Sequence, residues 1–146
     1  MAEPLVIMLV EDNDDHAELV MRTLSDHHLA NNILRFSDGQ TTLDYLFHQG
    51  EFAKSNRRAH PDLILLDLRL PRVDGLEVLK AIKTEDDLRH IPVVILTTSE
   101  AERDIASAYQ YHANSYLVKP VSFEDFLKLL SDMGYYWLHW NMSPQH

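Results

Sequence analysis

Runs of apolar residues alternate with amphipathic segments along the chain. Five runs rich in Leu, Ile and Val are typical of strands buried on both faces of a parallel sheet: 5–12, 32–39, 62–67, 91–98 and 114–120. Each run is followed by a segment with apolar residues at helical spacing, which predicts helices over 14–28, 40–50, 73–87, 99–112 and 122–133.

Five β-α pairs in succession predict a fold of the α/β class. Such a chain forms a doubly wound five-stranded parallel sheet, with helices on both faces and right-handed connections. The pattern alone leaves the strand order open, and the flavodoxin-like order is the obvious candidate for five such units.

The composition is that of an ordinary globular domain. The chain has 146 residues, of which 45% are hydrophobic and 25% charged, and it has no cysteine for disulfides or thiolate metal sites. The first apolar run is too short for a signal peptide or a membrane span, so we expect a cytoplasmic protein without a membrane segment. The net charge is −10 and the densest basic segment, 56–60, is small, which argues against direct nucleic-acid binding.

Polar residues follow four of the predicted strands at the point where each strand ends. Glu11 and Asp12 follow the first strand and Asp67 closes the third. Thr97 closes the fourth strand, and Lys119 closes the fifth. Because the carboxyl ends of parallel strands lie at one edge of the sheet, we expect these side chains to converge on one cleft.

Three carboxylates in one cleft repel one another. Two unit charges about 5 Å apart interact by roughly 3 kcal/mol at an effective dielectric constant near 20. A divalent cation would neutralise this repulsion, and oxygen ligands with room for water suit Mg²⁺. The pattern therefore predicts a site for a phosphoryl group beside Mg²⁺.

Each of these residues, taken alone, also has an ordinary structural explanation. Asp67 is consistent with a cap after a strand, and Lys119 with a solvated cation near a helix end. Thr97 prefers β structure, while Glu11 and Asp12 fit the N-terminus of the following helix. Only their joint placement at the strand ends supports a functional site.

Four motifs occur in the order of a known family: "LVEDN", "LILLDLRLPRVDG", "VVILTTS" and "YLVKP". Together they resemble the receiver domain of two-component response regulators, over about residues 5–131. The resemblance implies a flavodoxin-like (βα)5 fold. It also implies that the protein accepts a phosphoryl group from a sensor histidine kinase and signals through a change of its interaction surface.

The resemblance assigns a role to each residue of the cleft. Asp67 is similar to the aspartate that accepts the phosphoryl group. Glu11 and Asp12 resemble the acidic pair that binds Mg²⁺, with Asp67 and the backbone carbonyl of Arg69 as further ligands.

The resemblance also identifies the residues that respond to phosphorylation. Thr97 is similar to the hydroxyl residue that turns toward the phosphoryl group, and Lys119 to the lysine that pairs with a phosphoryl oxygen. Tyr116 is similar to the aromatic residue whose side chain moves inward on activation.

The end of the sequence concentrates aromatic residues. We expect a receiver domain over 1–131 without an output domain and an aromatic extension over 132–146, containing Tyr135, Tyr136, Trp137 and Trp140. Aromatic residues are enriched at subunit interfaces, which favours a homodimer built on the fourth helix, fifth strand and fifth helix. The alternative is an aromatic lid that packs on its own domain.

A second, looser resemblance concerns the kinase partner. The extended loop 50–60, the preceding "LFHQGEF" and the aromatic extension are similar to stand-alone receivers paired with bacterial phytochrome histidine kinases. This implies a phytochrome-type sensor kinase as the partner. The downstream protein target is unknown from sequence.

Two alternative functions remain open from the residues. An adaptor with the same fold would bind partners without being phosphorylated. A haloacid dehalogenase-like phosphatase also uses an aspartate after a strand, but it typically has a second aspartate two residues later, where this chain has Arg69.

Overall fold

The strands and helices follow the predicted order. The computed structural model describes residues 6–26, 32–50, 60–97, 102–113, 115–119, 122, 124–125 and 128. Its elements are β1 (Val6–Val10), α1 (Asp14–Asp26), β2 (Asn32–Phe36), α2 (Gly39–Leu46), β3 (Leu63–Asp67), α3 (Gly75–Thr84), β4 (Val93–Thr97), α4 (Glu102–Gln110) and β5 (Ser115–Val118). Of the predicted fifth helix over 122–133, residues 122, 124–125 and 128 are described; 124–125 and 128 are helical, and 122 is not. The predicted strands and α1 to α4 are thereby confirmed, with shorter bounds.

The five strands form one parallel sheet in the order β2-β1-β3-β4-β5. This is the flavodoxin-like order, so the predicted fold class is confirmed. The chain moves from β1 to one side for β2 and then to the other side for β3. Open α/β sheets bind ligands where the direction of the strand order reverses, at the carboxyl ends of the strands. In this sheet that place is the crevice at the carboxyl ends of β1 and β3.

Both faces of the sheet are buried. Alternate residues of β1, β3 and β4 pack in one cluster with buried residues of α2, α3 and α4: Met8, Val10, Ile64, Leu66, Val93, Ile95, Leu46, Val78, Leu79, Ile82 and Ala108. The intervening strand residues lie outside this cluster and are also almost fully buried: Ile7, Leu9, Leu63, Leu65, Val94 and Leu96. The buried residues of α1, Ala17, Val20 and Leu24, also lie outside this cluster. Burial on both faces explains why these strands are continuously apolar.

Capping residues decide where two helices begin. The Asp38 side chain accepts a hydrogen bond from the Thr41 backbone N–H at 2.7 Å, and Asp74 accepts one from the Glu77 N–H at 3.2 Å. An aspartate in the N-cap position satisfies a backbone donor that has no partner within the helix. Because Asp74 is the cap, α3 begins at Gly75, two residues after the start that apolar spacing predicted.

Several predicted features lie outside the described residues. They are most of the loop 50–60 and the aromatic residues Tyr135, Tyr136, Trp137 and Trp140. Within the part of the chain that is described, no helix combines the length and the apolar character that crossing a membrane requires.

Candidate functional site

Three carboxylates meet at the carboxyl ends of β1 and β3. Asp67 is the last residue of β3, and Glu11 directly follows β1. Both are buried, whereas Asp12 is exposed to solvent. Each of the three offers a carboxylate oxygen, and these oxygens all lie within 4.8 Å of one another. The predicted convergence of Glu11, Asp12 and Asp67 is confirmed.

Lys119 joins this cluster from the end of β5. Its Nζ lies 2.6 Å from Glu11 Oε1 and 2.8 Å from Asp67 Oδ2. The side chains are 7% exposed for Lys119 and Asp67 and 0% exposed for Glu11. One ammonium thus pairs with two buried carboxylates, which excludes the alternative that Lys119 is a solvated surface cation.

Burial and charge shift the protonation of this cluster. Burial raises the pKa of Glu11, the hydrogen bond from Lys119 lowers it, and the neighbouring Asp67 raises it further, so the net shift is upward. Burial lowers the pKa of Lys119, but its hydrogen bonds and charge interactions with Asp67 and Glu11 outweigh this effect and raise the pKa. Lys119 therefore stays charged, and its single positive charge can balance only one of the three carboxylates of the site.

The donor set fits a hard divalent cation. Carboxylate oxygens are the ligands that Mg²⁺ prefers, and the exposed Asp12 leaves room for the water ligands that this ion keeps. Backbone N–H groups orient two of the acids: Asn13 donates to Glu11 Oε2 at 3.1 Å, and Arg69 donates to Asp67 Oδ1 at 2.8 Å. A cation here would also relieve the repulsion that raises the pKa of Glu11. The backbone carbonyl of Arg69 as a further ligand stays a prediction.

Two more predicted residues lie along the neighbouring strands. Thr97 ends β4 one position beyond Leu96, the register partner of Asp67. The role predicted for its hydroxyl stays a prediction. Tyr116 in β5 is half-buried, and its ring meets that of Tyr109 edge-on, with centroids 5.8 Å apart.

Sequence reasoning missed two residues that contact the cluster. His16, in the first turn of α1, has Nδ1 at 3.0 Å from Lys119 Nζ. Arg35, in β2, donates from Nε at 3.1 Å and from Nη2 at 2.7 Å to the backbone carbonyl of Glu11. A signal existed for His16, because it follows Asp12 by only four residues and lies in the first turn of the predicted first helix.

Comparison with known proteins places this cluster in a family. The profile of the response regulator receiver domain matches residues 7–131, which include all three acids and Lys119. The chain belongs to the response regulator receiver family. The family resemblance stated from the four motifs is thereby confirmed.

Receiver proteins from other organisms align over nearly the whole chain. "Probable methanogenesis regulatory protein FilR2" of Methanothrix harundinacea is 48% identical over 143 residues, which are 97% of this chain and 89% of that protein. Response regulator Rcp1 of a Synechocystis strain is 42% identical over 92% of this chain and 90% of its own length. The structure of the bacteriophytochrome response regulator AtBRR matches with a TM-score of 0.81 and 44% identity, over 91% of this chain and 94% of that one.

Family membership defines the general function. Response regulators are signalling proteins that accept a phosphoryl group, rather than enzymes that act on a separate substrate, and their partner is a sensor kinase. A Mn²⁺-bound structure of Rcp1 exists, with a TM-score of 0.75, 41% identity and coverage of 92% of this chain and 95% of that one. This chain is therefore a phospho-accepting response regulator with an acidic cluster that suits a divalent metal.

Proposed function

We propose that Asp67 is the phosphoacceptor of this response regulator. The observation that carries the proposal is the position of its carboxylate, buried at the end of β3 and paired with Lys119 at 2.8 Å. An oxygen of Asp67 attacks the phosphorus atom of a phosphohistidine on the kinase, forming an O–P bond. The P–N bond breaks, and its electron pair returns to the imidazole, which takes up a proton. Lys119 lies where a positive charge can pair with the oxygens of the new dianion.

The proposed metal ligands are Glu11, Asp12, Asp67 and the backbone carbonyl of Arg69, and the proposed ion is Mg²⁺. When bound, this ion supplies charge neutralisation for the phosphoryl oxygens during transfer. The residues of the chain supply alignment: the Arg69 N–H orients Asp67 Oδ1, and Lys119 orients Asp67 Oδ2. Alignment and electrostatic stabilisation make up most of the catalysis of phosphoryl transfer.

The proposed signal is a change of the surface around α4 and β5. In this proposal the hydroxyl of Thr97 binds a phosphoryl oxygen, and the ring of Tyr116 changes its position. The contact between Tyr116 and the 44% exposed Tyr109 supports a link from β5 to the outer face of α4. Phosphorylation would then shift an existing equilibrium between two surface arrangements.

The proposed kinase partner is a sensor histidine kinase of the phytochrome type. The support is the 44% identity to a protein described as a bacteriophytochrome response regulator. The kinase and its signal stay a proposal for this chain.

Phosphodonor labelling tests the proposed function. The full chain is incubated with Mg²⁺ and acetyl phosphate, and its intact mass is measured. A response regulator gains the mass of one phosphoryl group, whereas an adaptor gains none. A phosphatase hydrolyses the donor over many turnovers without a stable label. Either of the last two results would contradict the proposal.

Asp12→Ala is expected to weaken Mg²⁺ binding at least tenfold, about 1.4 kcal/mol or more, because a hard cation loses a charged oxygen ligand. Isothermal titration of the metal-free protein measures the affinity. Asp15→Ala is the matched control, because Asp15 is also an exposed acid of this segment but contributes no oxygen to the cluster. Equal Mg²⁺ affinity of the parent and Asp12→Ala would place the metal elsewhere.

We also propose a homodimer built on α4, β5 and the fifth helix, together with the aromatic extension 132–146. β5 is one of the two edge strands of the sheet, and Tyr109, whose ring contacts Tyr116 of β5, is 44% exposed. Aromatic side chains at such a face are typical interface hot spots. The residues proposed for the contact from the extension are Tyr135, Tyr136, Trp137 and Trp140.

Truncation after Ser131 is expected to reduce dimerisation, because the shortened chain lacks these aromatic side chains. Analytical ultracentrifugation compares the two chains with and without acetyl phosphate and Mg²⁺. A rise of the dimer dissociation constant by at least thirtyfold corresponds to about 2 kcal/mol, the usual size of one hot spot. Equal association of both chains, or monomers in every state, would contradict the proposed interface.

A further inference from the structure

Three atoms that can accept a hydrogen bond surround the ammonium of Lys119. Its Nζ lies 2.6 Å from Glu11 Oε1, 2.8 Å from Asp67 Oδ2 and 3.0 Å from His16 Nδ1. A lysine ammonium carries three N–H donors and no acceptor. The contact with His16 is therefore a hydrogen bond only if Nδ1 carries no proton and accepts.

His16 differs from the other two acceptors in its surroundings. Its side chain is 38% exposed, while that of Glu11 is fully buried and that of Asp67 nearly so. Its imidazole also contributes no atom to the group of carboxylate oxygens that suits a divalent metal. His16 is thus a partner of Lys119 that lies outside the proposed metal ligands.

We propose that His16 is a positioning residue for Lys119, whose ammonium it keeps directed at Asp67 by accepting its third hydrogen bond. The proposal rests on the proposed role of Asp67 for its consequence in phosphorylation, but not for the contact itself. Glu11 and Asp67 have to share their oxygens with a bound cation, and Asp67 becomes the phosphorylated group. Neither metal binding nor phosphorylation involves the bond to His16. This bond therefore preserves the position of the ammonium while Glu11 and Asp67 change their partners.

The helix supports this geometry. The backbone N–H of His16 donates to Asn13 Oδ1 at 2.9 Å, which fixes the first turn of α1 beside the acidic pair. Nδ1 of His16 also lies 4.0 Å from Glu11 Oε2. Substitution with leucine removes the acceptor, whereas the Oδ1 atom of an asparagine lies close to the position of Nδ1 in a histidine.

Nitrogen NMR of the metal-free, unphosphorylated full chain tests the contact. At about pH 8, where imidazole side chains are ordinarily neutral, we expect His16 to be protonated on Nε2 and to accept at Nδ1. We also expect the Nδ1 resonance to shift in Lys119→Met. In His16→Leu the NH₃⁺ signal of Lys119 should broaden through faster exchange with water, and in His16→Asn it should persist.

Labelling with acetyl phosphate and Mg²⁺ tests the consequence. The rate of phosphorylation is expected to fall about tenfold or more in His16→Leu, the order that loss of one hydrogen bond to a charged group implies. His16→Asn should restore most of this rate. Mg²⁺ affinity should change by less than about twofold in both variants, because only a ligand would change it strongly. His90→Leu is the control, because His90 is exposed between α3 and β4 and is not one of the residues of the site; its phosphorylation rate should equal that of the parent.

A proton on Nδ1 of His16, or an unchanged Lys119 signal in His16→Leu, would overturn the proposal. Equal phosphorylation rates of His16→Leu and the parent would overturn it as well. If the parent protein takes up no phosphoryl group, the proposed function is wrong. The contact between His16 and Lys119 is still tested in that case, because the NMR measurements do not require phosphorylation.

Discussion

Asp67→Asn is expected to take up no phosphoryl group from acetyl phosphate or from a phosphorylated kinase. Asparagine has nearly the same size and shape as aspartate, but its neutral amide is not a nucleophile toward phosphorus. The loss should be complete within the detection limit of intact-mass measurement, because Asp67, which closes β3 and pairs with Lys119, is the one proposed acceptor.

The fold of Asp67→Asn should stay intact. Asparagine keeps one oxygen that can accept from Lys119 or from the Arg69 N–H, but it cannot accept from both as the two oxygens of Asp67 do. This loss costs about 1–3 kcal/mol, and the relief of repulsion with Glu11 partly offsets it. Asp87→Asn, at an exposed position, is the matched control and should label as the parent does. An Asp67→Asn protein that gains one phosphoryl mass at the parent's rate would refute the assignment of the acceptor.

The central strands β1, β3 and β4 could be predicted from sequence because their described residues are nearly all buried. All five residues of β3, Leu63–Asp67, are buried, and a continuous apolar run predicts burial on both faces without knowledge of the partners. The helix ends were predicted less well. Apolar spacing extended the third helix over 73–87, but its bounds depend on the Asp74 cap and on the turn that follows Thr84.

The acids of the site could be predicted because parallel strands place their carboxyl ends at one edge. That rule assigns Glu11, Asp67 and Lys119 to the same edge without distances. It cannot reveal that one ammonium bridges both carboxylates, because this depends on the path of the chain after β5. Nor can it reveal the contact of His16, because the direction of a helical side chain depends on how α1 packs against the sheet.

Burial of the acidic cluster has two opposing consequences: it makes the charged carboxylates less stable, and it strengthens their interaction with nearby cations. Removing Glu11 and Asp67 from water is unfavourable, and the raised pKa of Glu11 reflects this. Lys119 compensates for part of the cost, and a divalent cation would compensate for the rest. A site of this kind is less stable without its ligand than an apolar site would be, and its excess of negative charge favours the binding of a divalent cation.

Gly75→Ala is expected to destabilise the protein strongly. Gly75 is the first residue of α3, and its N–H donates to the Leu68 carbonyl at 2.9 Å, directly behind the end of β3. A Cβ atom at this position would lie 2.6 Å from Leu68 Cα and even closer to the carbonyl oxygen of Asp67. Because both neighbours are backbone atoms, the clash cannot be relieved by a change of side-chain rotamer.

The magnitude follows from two opposing terms. Overpacking against a fixed backbone costs about 1–3 kcal/mol and sometimes more, while the higher helix propensity of alanine returns at most about 1 kcal/mol. We expect a net loss of about 2 kcal/mol in the free energy of unfolding, measured by urea denaturation of the metal-free protein. Because the clash displaces the backbone of Asp67 itself, phosphorylation of the folded fraction should also slow.

Glu77→Ala is the matched control for Gly75→Ala. Glu77 lies in the first turn of the same helix and is exposed, so its replacement introduces no clash. Its effect on the free energy of unfolding should stay within about 0.5 kcal/mol, as is usual for surface positions. The contrast separates backbone crowding at Asp67 from a general effect of alanine in α3. If Gly75→Ala were as stable as Glu77→Ala and phosphorylated at the parent's rate, close contact between α3 and the end of β3 would not be what positions the acceptor.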